Sequence, residues 1–556
     1  MIGFPRPDAP RPVWPRRRLG PAFGLSGMAA AAHPLTVETA VGVLRAGGNA
    51  VDAAVAAGLT AAVVMPEMCG LGGDLFAIVH APGEAPVAVL GSGIAPRAAT
   101  LEQMRAAGPQ TPSGPKMPLT GPLSIGAPGM VHAYGALLER FGSRPFADLA
   151  APAIAHAERG FPLTVSGAAA IGLYAELLAR VPATATVLLP GGRAPRAGEV
   201  LVQADLARTL RQLAAEGCGA FYGGPLADRI AGSVQALGGA LSAGDLADHT
   251  TVLEPPLSTT YRGCTVWQTG LPSQGLILLE ALNIAEQAEA AMLARGDAAA
   301  THLLVEATKL AYADRMAYAC DPAVRATPVE TLLSKAWAAR RHAAIDPDRA
   351  AEETPAAALT DGDTTYLCVV DGAGMMVSLI QSVSSAFGSG VVAEGTGVIL
   401  NNRVGRGFTL EDGHPNQFAP GKKTMHTLNC WSLAGPDGVP VMVGGTPGGD
   451  GQPQWNLQML TGLIDAGLDV QAACELPRWS MWPGTDPADR PNPYELRVET
   501  RLGDEALAGL AARGHRLKPT GAWGGTGAAQ IIARDPATGV LAGGSDPRAE
   551  GLAMGL

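Results

Sequence analysis

Gly362-Asp363-Thr364-Thr365 stands where a loop-like stretch ends and an apolar run, Tyr366 to Val370, begins. A threonine at the start of a strand can act as a nucleophile once the bond before it is cut, because the freed α-amine then serves as its base. The same four residues also describe an ordinary strand opening, polar residues closing a loop and β-branched ones starting the ladder. Further along, Gly444-Gly445-Thr446-Pro447-Gly448-Gly449-Asp450-Gly451 follows an apolar run and precedes a helical one. Paired glycines let backbone N–H groups approach a developing oxyanion without obstruction, as acyl transfer needs; a plain strand-to-helix turn is the competing reading. Ser382, Ser384 and Ser385 fall about one hairpin beyond Thr364, where hydroxyls could bond its amine or Oγ.

Other side chains are candidates for binding. His426, in Lys422-Lys423-Thr424-Met425-His426-Thr427, sits among polar residues between glycine-rich segments and could orient substrate or move protons. Arg403 and Arg406 follow an apolar run, where a guanidinium could hold a substrate carboxylate. Cys368 reads as a small buried hydrophobe. No histidine pair stands beside a carboxylate at ligand spacing in the sequence, so neither a metal nor another cofactor is expected. Gly70, Gly72 and Gly73 lead from a helical pattern into a strand, the reverse of a dinucleotide fingerprint, and the Gly444 to Gly451 loop lacks the Lys-Ser/Thr of a phosphate loop.

These residues need elements to hold them. Residues 1–26 are Pro-rich and aperiodic and read as a flexible arm, with the fold beginning near Gly27. A helix is expected over Pro34 to Arg45, a turn at Ala46-Gly47-Gly48-Asn49, and a second helix, packed on nearly all sides, over Ala50 to Met65. Leu75 to His80 and Val87 to Leu90 read as strands; Met130 to Leu237 is mainly helical, and an amphipathic helix spans Thr301 to Ala319. Residues 345–363 read as an accessible, cleavable linker. Beyond Thr364 strands dominate: Tyr366 to Val370, Met376 to Ile380, Gly397 to Leu400, Val439 to Val443, Glu495 to Glu499 and Gln530 to Ala533, with a helix near Gln454 to Ile464. Strands flanked by helical blocks at both ends imply a layered α/β fold.

Composition narrows the function. A chain of 556 residues with 47% hydrophobic and 16% charged residues is long enough for a large core. A net charge of −10 without basic blocks argues against nucleic acid, and Arg16-Arg17-Arg18 reads as part of the arm. Seven scattered cysteines without Cys-x-x-Cys spacing point to reduced thiols. The most apolar run, Val51 to Met65, is short for a bilayer, and Leu19 to Met28 is broken by Gly and Pro, so no membrane partner and a cytoplasmic location are expected.

Taken together, several segments resemble the γ-glutamyltransferase family of N-terminal nucleophile hydrolases, in family order from about residue 27 onward. They are Gly47-Gly48-Asn49-Ala50-Val51-Asp52-Ala53-Ala54, Lys309-Leu310-Ala311-Tyr312-Ala313-Asp314-Arg315, the Thr364 region, Phe387-Gly388-Ser389-Gly390, Leu400-Asn401-Asn402, Pro447-Gly448-Gly449 and Ser545-Asp546-Pro547-Arg548. The resemblance implies an αββα sandwich and self-cleavage between Asp363 and Thr364. That would give a large subunit, 27–363 after the arm, and a small one, 364–556, intertwined in one domain. It further implies Thr364 as nucleophile, Thr365 and Ser382 as its supports (a threonine is usual where Ser382 stands), and the N–H groups of Gly448 and Gly449 as oxyanion donors.

Substrate recognition departs from that family. Where γ-glutamyltransferases hold the glutamyl carboxylate with an arginine, this chain reads Leu90-Gly91-Ser92-Gly93, with Ser92 at the position. Where they hold the ammonium with an aspartate, it offers Gly405 and Arg406, and a cation repels an ammonium. Their Ser-Ser pair is replaced by His426 and Thr427. Met-His-Thr-Leu and Gly-Gly-Asp-Gly-Gln-Pro-Gln are similar to the branch that includes oxamate amidohydrolase. The expected activity is therefore hydrolysis of a small, carboxylate-bearing amide, with Ser92, Ser384, Arg403, Arg406, His426 and Thr427 around the substrate. A γ-glutamyl hydrolase or transferase, a cephalosporin-type acylase, and an unprocessed, silent binding homologue are the alternatives; a homo-oligomer is compatible with each.

Overall fold

All fifteen residues of the helix Ala50–Val64 are buried, as its alanine-rich run predicts. Asn49 and Asp52 close a reciprocal capping box at its start, worth about 1 kcal/mol. Small residues let neighbours come close: a Cβ on Gly58 would lie 2.7 Å from the Tyr134 hydroxyl. Together with the helix Pro34–Arg45 it covers a sheet whose middle strands carry Thr364. The computed structural model describes residues 1–5, 14–18, 20–112, 114–352, 364–482 and 494–556.

That sheet has seven strands, in the order Leu552–Gly555, Gly27–Ala31, Thr365–Asp371, Met376–Ser382, Asp74–His80, Val87–Gly91 and Val252–Glu254, all antiparallel. A second antiparallel sheet runs Ala22–Gly24, Leu541–Ser545, Gln530–Arg534, Pro440–Gly445, Trp431–Ala434, Cys264–Gln268 and Leu257–Tyr261. Met28, Phe76, Ile78, Tyr366, Ile380, Val443 and Ile532 form the core between the sheets. The helices Gly275–Ala285, Ala298–Tyr318, Gly451–Ile464 and Val470–Cys474 contribute to a separate core on the second sheet's outer side, so helices flank both sheets. Each sheet mixes strands from before and after Thr364.

The register places the chemistry. Thr365 faces Gln381, Ser382 faces Asp74, and Leu75 faces Gly91. Thr364, Ser382, Asp74 and Ser92 therefore fall on four adjacent chain segments at one end of one sheet.

Three expectations change. The fold starts before Gly27: Ala22–Gly24 extends the second sheet, Gly3 bridges to Asp469, and the Arg17 and Arg18 N–H groups donate to the Glu475 carboxylate at 2.7 and 3.0 Å. The described pieces of the expected arm are thus anchored, because Glu475 is buried and needs donors. Leu257–Tyr261 and Cys264–Gln268 form a hairpin between the helical stretches expected at Met130 to Leu237 and Thr301 to Ala319, where no strand was expected. The start of the expected linker is pinned: Ala350 N–H donates to Arg513 O at 2.7 Å, and Lys309 Nζ donates to Ala351 O at 2.9 Å. The rest of it, 353–363, lies outside the described residues and with it Gly362 and Asp363. Among described residues no helix is long and apolar enough to cross a membrane. All seven cysteines are free, as their scatter predicts.

Candidate active site

Thr364 is buried at the head of its strand and lines a cleft of about 420 Å³ with Met65, Tyr174, Gly448 and Trp455. Its hydroxyl donates to Ser382 Oγ at 3.2 Å, and the same oxygen accepts the Ser384 N–H at 2.7 Å. That second bond is made by a residue at φ 91°, a left-handed conformation costing a side-chain-bearing residue about 1–3 kcal/mol. Arg406 Nη1 holds it there, donating to Ser384 O at 3.1 Å. Ser384 acts through its backbone; its buried Oγ meets no partner among the described residues. Successive strand residues face opposite ways, so the Thr365 hydroxyl turns from Ser382 to Met65 Sδ at 3.6 Å.

The glycine loop needs its glycines. Gly448 (φ 129°) and Gly449 (φ 53°) are left-handed, and a Cβ on Gly448 would lie 2.0 Å from the Trp455 ring. The loop is braced from the protein side. Gln274 Nε2 donates to Gly449 O at 2.8 Å, the Tyr312 hydroxyl to Asp450 O, and Arg315 Nη1 to the Asp450 carboxylate at 3.0 Å. Among the described residues no acceptor meets the N–H of Gly448 or Gly449.

Asp74 organises the neighbouring charges. Its Oδ2 accepts from His426 Nε2 at 2.9 Å and Arg403 Nε at 3.2 Å. Burial alone would raise its pKa, but His426 and Arg403 outweigh that and hold it below the ordinary value, as a carboxylate. Burial, then Arg403, pushes His426 down to about 4, so it is neutral; its Nδ1 accepts the Leu428 N–H at 3.2 Å. Arg403 Nη1 also donates to Thr427 Oγ1 at 3.3 Å.

Arg403, Arg406 and Thr427 come together, with Arg315 and Asp450, around a pocket of about 20 Å³. The glycine loop borders both spaces: Pro447 and Gly448 line the cleft, Asp450 the pocket. Contrary to expectation, His426 lines neither; it is fully buried, both ring nitrogens are bonded, and its side chain is tied to the site through Asp74. Ser92 is also buried and outside both linings, and its Oγ has no partner among the described residues. Asp363 lies outside the described residues.

Sequence reasoning missed Asp74, Trp455 and Tyr174. For Asp74 there was a signal, an aspartate directly opening an apolar strand, which must find a buried partner. It also missed a cluster away from the site. His302, Glu306 and His515 bring ligand-type atoms within 4.8 Å, although no metal grouping was expected. His302 and Glu306 stand one helical turn apart, and His515 joins them only in the fold. Lys309 Nζ lies 2.8 Å from Glu306 Oε1, so an ammonium already occupies the carboxylate a cation would need.

The family described as gamma-glutamyltranspeptidase matches residues 36–556. The chain is 38% identical over 534 residues to the oxamate amidohydrolase proenzyme of Klebsiella pneumoniae, covering 95% of this chain and 98% of that one. It is 36% identical to the glutathione hydrolase-like YwrD proenzyme of Bacillus subtilis, covering 96% and 99%. The crystal structure of cephalosporin acylase from Bacillus halodurans superposes with a TM-score of 0.89 at 36% identity, over 99% of each chain.

Proposed function

The chain belongs to the gamma-glutamyltranspeptidase family of enzymes, and on that premise we propose that it is a self-processing amidohydrolase with Thr364 as nucleophile. The observation that carries this reading is the Thr364 hydroxyl, bonded to Ser382 at the wall of a cleft whose lining includes Gly448. The relatives named as proenzymes support the processing step, and the two helix-flanked sheets fit the αββα sandwich of N-terminal nucleophile hydrolases. Because both sheets interleave strands from either side of Thr364, the subunits 1–363 and 364–556 would stay together after cleavage.

In processing, Thr364 Oγ attacks the Asp363 carbonyl, the C–N bond breaks and an ester forms. Water opens it, leaving a carboxylate on Asp363 and a free amine on Thr364. In turnover that amine takes the hydroxyl proton as Oγ attacks the substrate amide, and the N–H groups of Gly448 and Gly449 receive the oxyanion. The proton passes to the departing amine, and water hydrolyses the acyl ester. Ser382 orients the hydroxyl; Thr365 supports the strand from its other face.

Arg403, Arg406 and Thr427 would receive a substrate carboxylate, with Asp74, His426 and the Ser384 backbone positioning them. Three arginines against one aspartate line the pocket, a surrounding that favours an anion and opposes the ammonium of a γ-glutamyl group. Ser92, without an arginine's charge, fits the same loss of glutamyl recognition. Seven free thiols agree with a reducing, cytoplasmic setting.

Denaturing electrophoresis and an amide panel test this function. Two bands, lost on Thr364→Ala, are expected, with turnover of short anionic amides exceeding that of γ-glutamyl-p-nitroanilide. A permanent single band would favour a silent binding homologue. Equal turnover of the glutamyl substrate would favour a γ-glutamyl hydrolase.

A further inference from the structure

Resting on the reading of Thr364 as nucleophile, we infer that the amide cut here joins a short anionic acyl half to a bulky, apolar amine half. The two spaces beside the glycine loop differ in size by a wide margin. The arginine pocket, about 20 Å³, is the smaller space and suits a small group such as a carboxylate. The cleft that Thr364 lines measures about 420 Å³, within the range of roughly 300–1,000 Å³ that encloses drug-sized ligands. A primary amide would release only ammonia into that space, a molecule about the size of water.

The cleft is also the wrong surface for a small polar amine. Met65, Met68, Tyr174 and the Trp455 ring line it, and Leu173 stands at its edge. Leu173 is 79% exposed, the most exposed large apolar side chain among the described residues. Single exposed leucines are common, but this one continues an apolar wall that begins at the nucleophile. The wall also carries the buried side chains of His33 and Glu67; its two other ionic groups are turned to protein partners: Arg548 donates to Glu499 at 2.7 Å and to Asp546 at 3.0 Å, and Glu550 accepts the Ser166 N–H at 3.1 Å. An apolar amine half covering Tyr174 and Leu173 would gain about 25 cal/mol for each Å² of apolar surface removed from water, which a primary amide cannot.

The balance of the reaction is unchanged. The C–N bond breaks, the acyl group passes to Thr364 Oγ, and the amine leaves with the proton that the Thr364 amine took from the hydroxyl.

The test uses processed enzyme and one acyl half throughout: oxamate, N-methyloxamate and N-(cyclohexylmethyl)oxamate, whose two alkylamines have similar basicity. The expected result is a rise of at least ~10-fold in kcat/KM from methyl to cyclohexylmethyl, carried mostly by KM, since each 1.4 kcal/mol is tenfold. Leu173→Ser and Tyr174→Ala should bring the two constants back toward each other. A flat or falling series, or variants that leave the ratio unmoved, overturns the inference while leaving Thr364 as nucleophile. If none of these amides is cut, calorimetric binding to the processed enzyme decides: tighter binding of the cyclohexylmethyl amide supports the inference, and equal or weaker binding overturns it. Loss of the Thr364 reading looks different, as an unprocessed chain or activity that survives Thr364→Ala.

Discussion

The arginine pocket and the broad cleft share one loop and are built in opposite ways. At the pocket, charge is bonded to charge: Arg403 to Asp74, which also accepts from the neutral His426, and Arg315 to Asp450. In the cleft, contact comes from side chains such as Met68, Tyr174 and Leu173, which are replaceable one at a time. The difference is that of buried charge and buried area. A buried ion is costly unless every partner is present, so the pocket stands or falls as a unit. Apolar area is additive and forgiving, so the cleft tolerates single substitutions that the pocket does not.

The contrast is most open to attack at Arg403. Arg403→Met would leave Asp74 in the interior with only a neutral histidine, and losing one partner of a buried pair costs about 3–5 kcal/mol. Urea denaturation should show a clear fall in midpoint, and anionic amides should lose at least ~100-fold in kcat/KM. A variant as stable as the parent would mean the pocket is not interdependent.

Gly448→Ala follows. It forces a side chain into a left-handed conformation and against the Trp455 ring, displacing the loop. If Gly448 supplies an oxyanion donor, kcat should fall by about 10²–10³ and processing should slow; unchanged rates would remove the loop from the chemistry.

Acidification separates the regions more gently. His426 has a folded pKa of about 4 against an ordinary 6.5, so as pH falls below 6.5 the unfolded chain takes up its proton first. Stability should therefore decline between pH 6.5 and 4, by up to about 3 kcal/mol from this residue at 1.36 kcal/mol per unit. His426→Gln should flatten that part of the pH–stability curve. An unaltered slope would show that His426 is not the neutral partner of Asp74. The smallest effect belongs to the cleft: Leu173→Ser should shift the urea midpoint by no more than about 0.5 kcal/mol equivalent, since the side chain is largely exposed.

Much of this was legible because it is written locally. Thr364, Ser382 and Gly448 sit in short segments that could be singled out locally, although their proposed roles came from the family resemblance and not from residue type alone, and the helix Ala50–Val64 is set by composition and a cap. The strand Asp74–His80 was legible, but not what its first residue does: Asp74 and His426 are 352 residues apart and meet only in the folded chain. His426 itself looked polar and accessible because its neighbours are polar, yet it is fully buried, with the Phe76 ring 4.6 Å from its own. The hairpin Leu257–Gln268 had a readable turn, Arg262-Gly263, both residues at positive φ as two-residue hairpin loops require, hidden among stronger helical patterns. Trp455 was inside an expected helix, yet only the fold reveals that Gly448, Gly451 and Gly527 all pack on its ring.

The central claim is that cutting before Thr364 makes the nucleophile. N-terminal sequencing with intact-mass measurement of the purified protein tests it most directly. The expected result is a fragment that begins at Thr364 and runs 193 residues to Leu556, absent from the Thr364→Ala protein. An intact 556-residue chain that hydrolyses amides, or a fragment beginning at any other residue, would contradict it.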